Sequence, residues 1–249
     1  MALNLVMLGP PGAGKGTQAE RFAREHGIPK VSTGDILREA VHSGTELGTA
    51  VKAVMERGEL VGDDLIIGIV RERLMRPDAM AGFVLDGFPR TAAQATALDE
   101  ITAARGPVIC VEIQVPDEEL VRRVRGRRVC DDCGANADAF EHKADALSEL
   151  CQNTERCRSI GPKWVARSDD SETVVRERLK IYWRDTRPMI EYYSARPTFR
   201  VIDGLQSPEQ VREALVGAVA SALGMPASQL QSMAAKTLGG TRPKNEAQA

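Results

Sequence analysis

Gly9-Pro10-Pro11-Gly12-Ala13-Gly14-Lys15-Gly16-Thr17 decides what this chain folds into. The apolar run before it, Leu3 to Leu8, predicts a buried strand ending at Gly9. After it, Ala19, Phe22 and Ala23 recur on one face, which predicts a helix from Gly14 to His26. Glycines at such a junction let the backbone take positive φ and approach a bound group closely. The amides that open the helix then point at an anion. Lys15 can reach terminal phosphates as a point charge. The general phosphate-loop pattern has Ser or Thr directly after the lysine; here Gly16 takes that place and Thr17 follows. A glycine-rich turn without a ligand is the bland alternative, and the strand–loop–helix context argues against it.

Outward from this loop, strands are predicted at 29–32, 82–86, 107–115 and 199–202, with Cys110 an inert core thiol inside the third. Helices are predicted at 33–42, where Thr33 supplies a capping hydroxyl, and at about 46–57, 63–75, 91–104 and 117–125. A long one covers 171–195, bent near Pro188, and a last one 208–223. Alternating strands and helices imply an α/β fold: a parallel sheet of about five strands flanked by helices. Ligands bind such sheets beyond the carboxyl ends of the strands. The chemically equipped segments 9–17, 33–38, 86–90 and 203–206 all follow strands. Between about 126 and 166 the pattern breaks down. The stretch from Met225 is rich in Ala, Gln, Ser and Gly and reads as a disordered extension.

The chain has 249 residues, 43% apolar and 27% charged, and a formal net charge of −2, which fits a globular protein and argues against a general nucleic-acid binder. No run is long enough to span a membrane. Met1-Ala2-Leu3-Asn4 carries no basic stretch before an apolar core, so a cytoplasmic location is expected.

The GKGT ending of the loop resembles adenylate kinases and other nucleoside monophosphate kinases, and further motifs follow in order. Ser32-Thr33-Gly34-Asp35-Ile36-Leu37-Arg38, Gly58-Glu59-Leu60-Val61 and Asp86-Gly87-Phe88-Pro89-Arg90, with Gln94 one turn later, resemble that family's acceptor site. The resemblance implies a P-loop NTPase-type sheet with a helical AMP-binding insertion (33–62) and a small zinc-containing lid (127–170). The core would then be 1–32, 63–126 and 171–224, and 225–249 the tail. It implies ATP bound by Gly12, Ala13, Gly14, Lys15, Gly16 and Thr17, with Arg123 at its adenine, Arg127 at its phosphates and the Gln206 backbone, from Asp203-Gly204-Leu205-Gln206, against its base. AMP would meet Thr33, Arg38, Glu59, Leu60, Val61, Gly87, Arg90 and Gln94. Arg167 and Arg178 would touch the transferring phosphate, so that Lys15, Arg90, Arg127, Arg167 and Arg178 carry catalysis. Asp86 would orient hydrated Mg²⁺, and Asp169 and Asp170 would orient lid arginines on closure. Arg122, Arg125 and Arg128 read as solvated. No residue looks like a general base, and phosphoryl transfer needs chiefly alignment and positive charge.

Cys130-Asp131-Asp132-Cys133 is a C-x2-C knuckle, and Cys151 and Cys157 follow as C-x5-C. Four thiolates suit tetrahedral structural zinc; four free or oxidised cysteines are the alternative. The family's second knuckle is usually tighter, and its Tyr-His after the first is here Asn136-Ala137. The function implied is ATP + AMP ⇌ 2 ADP by a monomer. A different donor such as GTP, a different acceptor, and a silent nucleotide-sensing zinc module are the alternatives.

Overall fold

The computed structural model describes residues 2–132, 136–138, 154–161, 163–167 and 169–239. Strands β1 (Leu3–Leu8), β2 (Lys30–Ser32), β3 (Gly82–Asp86), β4 (Val108–Gln114) and β8 (Phe199–Asp203) form one sheet, ordered β2-β3-β1-β4-β8. Every pairing in it is parallel. Parallel strands need crossovers, and helices on both faces supply them. The central strands β1, β3 and β4 are largely apolar because both their faces are covered, whereas the edge strands β2 and β8 carry Lys30 and Arg200. Leu5 and Met7 of β1 join Ile109, Val111 and Ile113 of β4 in one core. Val6, Leu8, Val108 and Cys110, the residues between, join Phe83 and Leu85 of β3 in the other. The fold is thus α/β with a five-stranded parallel sheet flanked by helices, as the sequence implies.

The helices are α1 (Lys15–His26), α2 (Thr33–His42), α3 (Glu46–Glu56), α4 (Asp63–Leu74), α5 (Ala92–Thr102), α6 (Asp117–Gly126), α7 (Glu155–Ser159), α8 (Glu172–Ile181), α9 (Arg187–Ser194), α10 (Pro208–Ala222) and α11 (Ala227–Gly239). Among the described residues no helix is long and apolar enough to cross a membrane.

The structure corrects the sequence reading at four places. Ser32, not Thr33, caps α2, since Ser32 is still extended and its hydroxyl accepts the Asp35 N–H at 3.2 Å. Thr33 is instead the first helical residue, and its hydroxyl donates to the Gly87 carbonyl at 2.9 Å. The long helix of 171–195 is divided by a π-turn, Tyr182–Thr186. Pro188 has no N–H to return to residue 184, so the hydrogen-bond ladder shifts before it. The unpatterned stretch after α6 contains β5 (Arg127–Cys130), β6 (Asn136–Asp138) and β7 (Trp164–Val165), an antiparallel sheet ordered β6-β5-β7. Its strands are too short and polar for a period to show. Finally, where a disordered extension is expected, α11 packs on α1 and α10, anchored by Leu230 at 1% exposure. Residues 240–249 lie outside the described residues.

Candidate active site

The loop 9–17 leaves the carboxyl end of β1, between β3 and β4. Its shape demands glycine. Gly9 has φ 134°, and a Cβ there would sit 2.5 Å from the Ile113 carbonyl oxygen. Gly12 has φ 89°, and a Cβ there would sit 2.8 Å from Val124 Cγ2 of α6. The loop is therefore pressed against β4 and α6 by backbone alone. Where α1 begins, no side chain caps it and its first turn holds no acid, whereas Ser32, Thr45 and Thr91 cap α2, α3 and α5. The opening amides of α1, with the dipole behind them, are left for an external anion.

Lys15 folds back into the loop, and Nζ donates to the carbonyls of Gly9 at 2.8 Å and Pro10 at 2.9 Å. The pairing of Met7 with Asp86 sets Asp86 beside it, and Gly16 lies close to the same carboxylate. Shielding from water pushes Lys15 down to about 8; Asp86 opposes this, while Arg90, Arg178 and Arg127 add to it.

These side chains line one cleft of about 710 Å³. Gly12, Ala13, Gly14, Gly16 and Thr17 form part of its wall, and Arg38, Gly87, Arg90, Arg127, Arg167 and Arg178 face them. Burial, reinforced by Arg178 and Arg38, pushes Arg90 down to about 10, against the pull of Asp86 and Asp169. Burial, with Arg127 and Arg38 behind it, does the same to Arg167. Burial also lowers Arg178. Cations crowded in this way hold unused attraction for a highly charged anion.

Carboxylates hold the crowd in place. Asp170 takes Arg127 through two bonds, one of them 2.7 Å from Nε. Burial alone would lower Arg127, but Asp170 outweighs it and the guanidinium is raised. Asp169 accepts from Arg178 at 3.0 Å and stands 3.7 Å from Arg38. Asp35 accepts from Arg38 at 2.5 Å and lies 3.3 Å from Lys30. Arg167 donates to Asn136 Oδ1 at 2.9 Å, and its buried Nε has no partner among the described residues. Asn136 and Ala137 of β6 also reach the cleft wall.

At one side is a slot of about 60 Å³, lined by Leu60, Val61, Met55, Ile66, Gln94 and Thr33, with Gly87, Arg90 and Glu59 at its edge. The Glu59 side chain is turned to Arg57, at 2.8 and 2.7 Å, so its carboxylate is occupied on the surface. Gln94 is 2% exposed. At the other end, Asp203 accepts the Leu205 N–H at 2.9 Å and shapes the turn that presents Gln206 to the cleft. Arg123 bridges this turn, donating to the Gly204 carbonyl at 2.9 Å and to Glu119 at 2.7 Å.

The sequence profile described as adenylate kinase matches residues 7–198. The chain belongs to the adenylate kinase family. It is 47% identical over 211 residues to an adenylate kinase of Archaeoglobus fulgidus, covering 84% of this chain and 94% of that one. It is 46% identical to one of Rhizobium etli, over 84% and 95% of the two chains, and 46% identical to one of Kosmotoga olearia, over 85% and 96%. As an adenylate kinase the chain is a nucleotide-binding transferase.

Against that family's expected site residues, four partners are additions that the sequence reading missed. Asp35 and Glu119 lie one helical turn from Arg38 and Arg123, so helical spacing could have signalled them. Lys30, beside Asp35, and Asp63, whose carboxylate accepts from Gln94 at 2.8 Å, had no local signal. Of the four cysteines, Cys130 and Cys157 are buried with Sγ atoms 3.6 Å apart beside Trp164. A disulfide needs about 2.05 Å. Two corners of a tetrahedron with zinc–sulfur bonds of ~2.3 Å lie about 3.8 Å apart, which the pair fits. Cys133 and Cys151 lie outside the described residues. Among the described residues no group of three or more metal ligands forms.

Proposed function

We propose that the chain catalyses reversible transfer of the terminal phosphoryl group of MgATP to AMP, giving two ADP and so balancing the adenine nucleotide pool. The observation that carries this reading is the gathering of Lys15, Arg38, Arg90, Arg127, Arg167 and Arg178 in one cleft, with the Leu60–Val61–Gln94 slot at one side and the turn that presents Gln206 at the other. Two nucleotides bring many negative charges together, and these cations answer them. The loop amides and Lys15 hold the donor phosphates, with Arg123 and the Gln206 backbone at its base. Arg38 and Arg90 hold the acceptor phosphate, and its base enters the slot between Thr33, Leu60, Val61 and Gln94, past Gly87 and the backbone of Glu59. An acceptor phosphate oxygen attacks the donor's terminal phosphorus in line, and the bridging oxygen leaves with ADP. Arg127, Arg167 and Arg178 stabilise the charge on the moving group.

Mg²⁺ bound with the triphosphate neutralises part of its charge, and Asp86, beside Lys15 and Gly16, fits a carboxylate that orients the hydrated ion. The segments 33–62 and 127–170 act as closing parts around a core of 1–32, 63–126 and 171–224, with Asp169 and Asp170 fixing the arginines as they meet. Such gating is a motion for which adenylate kinases are themselves a standard example. The monomer in the cytoplasm completes the reading.

A coupled assay of ATP and GTP against AMP, GMP, CMP and UMP tests it. ADP formation from ATP and AMP should exceed every other pair by at least about tenfold; equal turnover with another pair would overturn the assignment.

We also propose that Cys130, Cys133, Cys151 and Cys157 hold a structural zinc ion in the lid. The buried pair at 3.6 Å supports this. With all four positions filled by protein, the metal stabilises and does not react. Metal analysis should find about one zinc per chain, and its removal, or Cys157→Ser, should lower the melting temperature more than the rate measured at 25 °C. Protein purified without chelators that contains no zinc rejects the site.

A further inference from the structure

The amide of Gln94 is clamped by partners of opposite kind. Its Oε1 accepts the backbone N–H of Arg90 at 2.8 Å. Its Nε2 donates to Asp63 Oδ1 at 2.8 Å. A backbone N–H only donates and a carboxylate only accepts, so these partners fix which end of the amide is oxygen and which is nitrogen. The clamp is closed through Thr91. Its hydroxyl donates to Asp63 Oδ2 at 2.8 Å and accepts the backbone N–H of Gln94 at 3.2 Å. Asp63 opens α4, while Thr91 caps α5, so the two helices hold the amide between them.

Each end of the amide keeps one unused position, a lone pair on Oε1 and an N–H on Nε2. Gln94 lines the narrow slot among Leu60, Val61 and Ile66, so those positions face the space a base would enter. A 6-aminopurine offers a donor at its amino group and an acceptor at the adjacent ring nitrogen. A 6-oxopurine offers the reverse order, an acceptor and then a donor. An amide free to rotate by half a turn would pair with either. An amide that cannot rotate pairs with one.

We propose that Asp63 is a positioning residue that locks the Gln94 amide and so makes the acceptor slot discriminate 6-amino from 6-oxo purine monophosphates. The proposal rests on the reading of this slot as the acceptor-base site. Rotation of the amide in the intact protein sets Nε2 against the Arg90 N–H and Oε1 against the Asp63 carboxylate, two repulsive contacts in place of two bonds. Asp63→Ala removes one of the two. Asp63→Asn does more: while the Thr91 hydroxyl keeps the Asn oxygen, the Asn nitrogen faces Gln94 and favours the rotated amide.

The experiment measures kcat and KM for AMP and IMP, at saturating MgATP, in the full-length protein, Asp63→Ala and Asp63→Asn. Thermal melts establish that each variant is folded. The ratio of kcat/KM for AMP over IMP should fall about tenfold in Asp63→Ala and further in Asp63→Asn, with the change mainly in the acceptor KM and the KM for ATP unmoved. An unchanged ratio in both folded variants overturns the lock, as does an equal loss for AMP and IMP, which is what a merely structural role gives. If the unaltered protein does not phosphorylate AMP at all, the acceptor reading itself fails, an outcome distinct from either.

Discussion

Lys15→Met lowers the rate of ADP formation by about a hundredfold or more, the usual cost of removing one donor aimed at transition-state charge, and leaves the protein folded. The second half of this expectation comes from the environment of Lys15. Its surroundings hold it at about 8, well below the ordinary 10.5. Below pH 8 the ammonium is charged in folded and unfolded chains alike, and the fold carries the full cost of burying it, to which Arg90, Arg178 and Arg127 add. Between 8 and 10.5 the unfolded chain binds a proton that the fold releases, so this cost disappears and stability rises with pH. Methionine removes the cost. Thermal melts of the nucleotide-free proteins should therefore show Lys15→Met at least as stable as the parent at pH 7, with a flatter response from pH 8 upward. Phosphates placed against Lys15 restore its ordinary proton affinity. Nucleotide binding at about pH 9 should then take up a proton, visible by calorimetry in buffers of different ionisation heat and absent in Lys15→Met. A variant with near-normal turnover would remove Lys15 from the chemistry.

Arg90→Ala carries an effect of similar size, and Arg90→Lys shows where it originates. The Nε of Arg90 donates to the Gly87 carbonyl at 2.8 Å, which aims the rest of the guanidinium into the cleft. A lysine keeps the charge and loses both the aim and the planar fork. Both variants should lower kcat by about a hundredfold, with the KM for ATP changed far less than the KM for AMP. Recovery of near-parent kcat in Arg90→Lys would mean that charge alone is needed. Because Arg90 is held below its ordinary range chiefly by burial, neither change should destabilise the nucleotide-free fold severely.

What could be read in advance follows from how local each signal is. The loop 9–17 was legible because glycine, lysine and the flanking strand and helix lie within one short stretch. The sheet was legible because both its faces are covered, which leaves Leu3 to Leu8 and Val108 to Ile113 apolar almost without a break. Arg38, Arg90, Arg167 and Arg178 stood in recognisable order, and they do converge. Their restraints were less accessible. Asp63 meets Gln94 across 31 residues of chain, and Asp170 meets Arg127 across 43. Gln94 is expected to meet the acceptor, and nothing local to it shows that both its polar atoms also hold partners within the chain. The π-turn at Tyr182–Thr186 depends on a hydrogen-bond register that Pro188 only hints at. Among the described residues of the helix Ala227–Gly239, Leu230 is the one fully buried, in a bland stretch that offers too little for any periodicity to reveal.

The grip of Asp169 and Asp170 on Arg38, Arg127 and Arg178 has a consequence for traffic through the cleft. The protein brings its own counter-ions. An emptied cleft does not expose bare cations to one another, because two carboxylates at the end of the segment 127–170 stand in for the absent phosphates. In the proposed reaction, phosphates would arrive at guanidinium groups that these carboxylates already aim, and would leave them still aimed. Because these pairs are largely shielded from solvent, bulk salt screens them weakly, and the guanidinium groups keep their aim across changes of ionic strength.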